Sequence, residues 1–110
     1  MIVFLSHKMS GLTDEEVYKI RNRAKKFIES KFPNEKIEYI ENYVYDDAPE
    51  DATNLWYLGR SIQEMRKADT IFFCDDYRDS RGCCIELTIC MTYSLDILNS
   101  RIGNIPKEFE

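Results

Sequence analysis

Histidine occurs once, as His7, and no paired C-x-x-C spacing links the four cysteines Cys74, Cys83, Cys84 and Cys90. A metal site rich in imidazole is excluded, a His-based triad would have to use His7, and a zinc framework lacks its ligand spacing. Long apolar runs are missing as well. The stretch Met1 to Leu5 has no basic residue ahead of it and is far shorter than a membrane span or the core of a secretory leader. A cytoplasmic protein with no membrane partner is expected, with reduced thiols serving as small hydrophobes rather than as disulfides. Positive charge is in deficit: 15 Lys and Arg against 20 Asp and Glu leave a formal charge of -5. The basic footprint demanded by a phosphate backbone is absent, so nucleic acid is not an expected partner, although one local cluster can still serve a small charged metabolite. Internal repeats, low-complexity tracts and linkers are also lacking, and residues 1–110 read as one domain.

What is present alternates between two periods. Ile2 to Ser6 is apolar with little alternation, as in a strand covered on both faces. The small polar loop Ser6 to Gly11 leads into Thr13-Asp-Glu-Glu16, a capping box that opens a helix. Val17, Ile20, Ala24, Phe27 and Ile28 form its apolar stripe, and Arg21, Arg23, Lys25 and Lys26 are read as its solvated side. A second strand is expected within Lys36 to Glu41, followed by a long loop, Asn42 to Asp51, that carries Tyr43 and Tyr45. Capped at Asp51 or Thr53, a second helix runs to Lys67 with Leu55, Leu58, Ile62 and Met65 inward and Trp56, Tyr57 and Arg60 off the stripe. Thr70 to Cys74 is the third strand, a helix from Gly82 is expected to continue toward Leu98, and Arg101 to Ile105 reads either as a short further strand or as part of a loose tail. The alternation predicts an α/β fold: a three-layer, flavodoxin- or Rossmann-like parallel sheet of order 2-1-3 with helices on both faces.

In that order, the loops leaving strands one and three face each other across the crevice where ligands bind. Glu86 lies in the helix bordering it, and its neighbours one turn away, Gly82, Cys83, Ile89 and Cys90, carry no charge. A carboxylate on an apolar face is costly to bury, which marks Glu86 as a candidate catalytic residue; tilting to solvent or capping the helix start is the bland alternative. Asp75, Asp76, Arg78, Asp79, Ser80 and Arg81 gather beside the N-terminus of the same helix, where free amides suit an anion.

Three stretches, VFLSHKMSGLTDEE, Asp51 to Ile62 and ADTIFFCDDYRDSRGCCIE, resemble the nucleoside 2-deoxyribosyltransferase-like superfamily, which includes the 2′-deoxynucleoside 5′-phosphate N-hydrolases. The likeness is nearest to a subgroup of small bacterial and phage proteins, and its strongest part is the Gly82-x-x-x-Glu86 spacing after a strand. The resemblance implies Glu86 as nucleophile and Ser6, Met9, Gly11, Asp75, Ser80, Arg81 and Gly82 around a nucleoside or nucleotide, with no metal or organic cofactor. It implies a homo-oligomer, for which Trp56 and Tyr57 are candidate contacts or base-stacking groups. Ser80, where the transferases carry an acid, matches the hydrolase branch, in which a serine serves the 5′-phosphate. Two positions depart: Lys8 stands where many members have proline, and Ser61 where an aspartate assists the leaving base, with Asp75 or Asp76 as candidate substitutes. The expectation is an N-glycosidase or deoxyribosyltransferase. The rivals are a catalytically silent nucleotide-binding module and a protein that has kept the fold alone.

Overall fold

The computed structural model describes residues 1–74 and 77–99 and the backbone of 103–104. Ile2–Ser6 forms β1 and Thr70–Phe73 forms β3, both runs of apolar residues. They pair in parallel from Val3 against Thr70 to Ser6 against Phe73. Glu38–Tyr39 (β2) adds in parallel to the other side of β1, Ile97–Asn99 (β4) adds in parallel to β3, and Gly103–Asn104 (β5) closes the edge antiparallel to β4. The sheet order is β2-β1-β3-β4-β5, which contains the expected 2-1-3 centre.

Side chains alternate between the faces of this sheet, and the two faces meet different helices. Val3, Leu5, Phe72, Cys74 and Leu98 pack against Ala24 and Ile28 of α1 (Asp14–Lys31). Phe4, Ile71, Phe73 and Ile97 pack against Met65 of α2 (Asn54–Met65) and Cys90 of α3 (Arg81–Thr92). One helix covers one face and two cover the other, a three-layer arrangement. The crossovers leave β1 and β3 toward opposite faces, and a crevice opens at the carboxyl ends of such a strand pair.

Several expectations are corrected. The third helix does not reach Leu98: it ends at Thr92, and Ile97–Asn99 is a strand. Ser94 takes the left-handed conformation, at φ 55, and the Leu95 amide donates back to the Cys90 carbonyl at 2.9 Å. This is a Schellman stop, with serine in the place glycine usually fills, so the sequence carries no glycine to mark it. Arg21 is not on the solvated side of α1 but buried with Val17, Ala24 and Ile28. Leu55 is 77% exposed rather than inward. Thr53 is the N-cap of α2, so Leu55 sits in the first turn, ahead of the buried positions Ser61 and Met65. Cys84 is exposed, so only Cys74, Cys83 and Cys90 serve as buried apolar groups.

Candidate functional site

The alternation that builds the core also aims the end of β1. Ser6 follows Phe4 onto the α2/α3 face, and His7 follows Leu5 onto the α1 face. Ser6 Oγ donates to Glu86 Oε1 at 2.8 Å, and both residues are buried. The Cys74 amide donates to the Ser6 carbonyl at 2.9 Å, which ties the ends of β1 and β3 together beneath this contact. Glu86 is 6% exposed and forms no ion pair among the described residues. Burial pushes its carboxyl up from 4.5 to about 7, opposed by the Ser6 hydrogen bond. One turn on, burial and then the Glu86 charge push the Cys90 thiol up to about 12, so it stays neutral.

The N-terminus of α3 borders the same crevice. A short 3₁₀ turn, Tyr77–Asp79, delivers Ser80 as N-cap, and its hydroxyl accepts from the Cys83 amide at 3.2 Å. The cap serves the helix, and the charge-favouring end of α3 lies beside it. A Cβ on Gly82 would meet Ser80 Oγ at 3.8 Å and Leu58 Cδ1 at 3.9 Å, ordinary contacts, so packing alone does not demand glycine there.

The long loop packs onto α2. The Tyr45 hydroxyl lies 3.4 Å from Ser61 Oγ, within hydrogen-bond reach. Its ring packs edge-on to Trp56 at 6.1 Å, and the Arg60 guanidinium lies 4.8 Å over it. Arg60 in turn pairs with Asp47 and Glu64, anchoring the loop to α2. Burial raises the Tyr45 phenol above its ordinary value, the Ser61 contact opposes this, and Glu86 is among the charges that raise it.

Behind β1 lies a buried polar cluster that the sequence reading missed. Arg21 Nη1 donates to His7 Nε2 at 2.9 Å and to Asn42 Oδ1 at 2.8 Å, and Nη2 donates to the Ile40 carbonyl at 3.3 Å. Because arginine only donates, Nε2 of His7 is the acceptor nitrogen, and Nδ1 faces the Lys8 carbonyl at 3.2 Å. Asn42 Nδ2 donates to the Leu5 carbonyl at 2.8 Å, continuing the ladder past the end of β2. Desolvation lowers the Arg21 pKa, with Glu41 the largest opposing charge. The cluster locks the turn after β1 to α1 and so fixes where Ser6 ends.

The expected site residues therefore separate. Ser6 and Glu86 are in direct contact, Ser80 and Gly82 stand within the first turn of α3, and Arg81 is exposed at its first position. Met9 and Gly11 shape the loop: the Leu12 amide donates to the Met9 carbonyl, and Gly11 needs its positive φ of 80. Asp75 and Asp76 lie outside the described residues. Trp56 is half-buried against Tyr57 and Tyr45. Arg21, with its four-three-four spacing through Val17, Ala24 and Ile28, was detectable from the sequence; the pairing of Tyr45 with Ser61 was not.

Among the described residues, no three His, Cys, Asp or Glu side chains gather to hold a metal ion, and no helix is long and apolar enough to cross a membrane. A scan against protein-family models and searches of curated proteins and of solved structures found no match for this chain.

Proposed function

We propose that this chain cleaves the N-glycosidic bond of a 2′-deoxynucleotide or nucleoside, as an N-hydrolase or deoxyribosyltransferase, with Glu86 as nucleophile. The observation that carries the reading is a buried carboxylate, with no cationic partner among the described residues, held by Ser6 where the two central strands end. Such a group can attack an anomeric carbon as it develops oxocarbenium character, form a glycosyl ester and give it up to water or a second base. The α3 N-terminus with Ser80 and Gly82 is suited to a 5′-phosphate. The reaction requires no metal or organic cofactor, and a cytoplasmic homo-oligomer is the assembly this reading carries with it.

The test is release of free base from a panel of deoxynucleosides and their 5′-monophosphates, followed by chromatography. Turnover that falls by about 10³-fold or more in Glu86→Gln is the expected result. A second reading, a silent nucleotide-binding module, draws on Ser61, a hydroxyl in α2 where an acid would serve a departing base. Nucleotide-dependent thermal stabilisation without base release would favour it.

Gly82→Ala separates fold from ligand. Its methyl meets only ordinary contacts, and alanine is the better helix former, so stability should hold or rise by up to about 1 kcal/mol. The methyl would crowd the approach of a phosphate to the cap, so thermal stabilisation by deoxynucleoside monophosphates should fall at least about tenfold in apparent affinity. Equal affinity in the two proteins would remove Gly82 from the binding surface.

A further inference from the structure

The two oxygens of the Glu86 carboxylate are not equivalent. Ionised, the group only accepts, so the 2.8 Å contact is Ser6 Oγ giving its one hydrogen to Oε1. Among the described residues no hydrogen bond reaches Oε2, and no side-chain oxygen or nitrogen that is sealed from solvent lacks a partner. Oε2 therefore keeps an opening. Ser6 itself has little freedom: it is 1% exposed, the Cys74 amide donates to its carbonyl at 2.9 Å, and Asn42 Nδ2 donates to the preceding Leu5 carbonyl at 2.8 Å. A hydroxyl so placed has spent its hydrogen on Glu86 and has none to give a substrate.

Resting on the reading above, we propose that Ser6 is the positioning residue of the nucleophile: it holds Oε1 and so presents Oε2 to the anomeric carbon. Oε2 bonds to that carbon as the bond to the base nitrogen breaks, the electron pair leaving on the base, which takes a proton from solvent. Water then attacks the carbon, the bond to Oε2 breaks with its pair returning to Glu86, and water sheds its spare proton to solvent. Ser6 keeps its proton throughout, and its hydrogen bond outlasts the ester, in which Oε1 is the carbonyl oxygen. Donation to the charged form also favours ionisation at Glu86 against the burial that opposes it. The groups packed around it leave that effect readable. Phe4, Ile71 and Phe73 of the strands and Met65 of α2 do not titrate. Cys83 and Cys90 flank Glu86 one turn away on α3, and burial pushes the Cys90 thiol up to about 12. Burial likewise raises the Tyr45 phenol in the long loop.

The test reads the titration of Glu86 and the turnover of a deoxynucleoside monophosphate together in the intact protein. Carbon NMR follows the Glu86 carboxyl, identified as the signal missing from Glu86→Gln. Its midpoint near 7 should move up by about one pH unit in Ser6→Ala, as should the rising limb of base release, because a hydrogen bond to the charged form is lost. Above that limb kcat should stay about tenfold or more below the unaltered protein, with KM unchanged. Ser6→Cys, which fills the space with a weaker donor, should fall between the two and replaces Ser6→Ala in the test if alanine does not fold. An unmoved midpoint overturns the inference, whether KM rises, as for a substrate contact, or kcat falls equally at every pH, as for a structural role; Glu86 would remain the nucleophile. A midpoint that moves in a protein that releases no base would overturn the glycosyl-transfer reading, and the attack by Oε2 with it.

Discussion

Glu86→Gln is expected to melt well above the unaltered protein at pH 8 and to lose that advantage by pH 4. Burial holds the folded carboxyl at about 7 against an ordinary 4.5. Below 4.5 both folded and unfolded chains carry the proton, and ionisation costs the fold nothing. Between 4.5 and 7 the unfolded chain gives up its proton while the folded one keeps it, so stability declines as pH rises. Above 7 the folded chain also carries the buried charge, and the full cost, about 3 kcal/mol, is present. Glutamine is neutral at every pH and its Oε1 can still accept from Ser6, so it escapes this cost. For a chain of this size the difference at pH 8 amounts to roughly 10 °C. Thermal unfolding of the two proteins at pH 8 and pH 4 decides the matter, and equal melting points at pH 8 would mean that Glu86 is not held as a costly acid. The same titration bears on turnover: a nucleophile must be ionised, so base release should rise with pH through a limb near 7 and level off above it. More stability with less chemistry in one variant is what a site maintained against the interest of the fold would give.

Arg21→Met should destabilise the protein by about 3 kcal/mol, the largest loss expected from any single charge on α1. Removing the guanidinium takes away the donor that serves His7 Nε2, Asn42 Oδ1 and the Ile40 carbonyl from a position only 3% exposed. A buried acceptor left without a donor costs about 1–3 kcal/mol, and the three are not additive because they share one donor. Methionine fills much of the volume, so the loss reports the hydrogen bonds more than a cavity. Arg21→Lys should recover less than half, since a single ammonium cannot reproduce the planar fork that reaches three acceptors on two elements. Urea denaturation measures both variants. A loss for Arg21→Met within about 0.5 kcal/mol of zero would show that the cluster is not what secures the turn after β1.

The elements that could be read from the residues are those whose local chemistry agrees with the tertiary packing. The Thr13 capping box opens α1 as its spacing predicts, and the unbroken apolar runs at Ile2 and Thr70 become the two central strands. Glu86 lies buried among the uncharged neighbours that marked it. The end of α3 was illegible because Ser94 adopts a glycine-like conformation with no glycine to announce it. Arg21 was read by its charge rather than by its position in the stripe, and its partners His7 and Asn42 come from the ends of two different strands, a convergence that no local pattern encodes. Tyr45 belongs to a loop, and only the anchoring of that loop by Asp47 and Arg60 brings its hydroxyl to Ser61.

Glu86 as the atom donor to the sugar is tested most directly by acid-quenching the protein during turnover of a deoxynucleoside monophosphate and mapping the modified peptide by mass spectrometry. The expected result is a deoxyribosyl phosphate ester on Glu86, formed with base release and absent from Glu86→Gln. A label on another residue, or undiminished base release by Glu86→Gln, would contradict it.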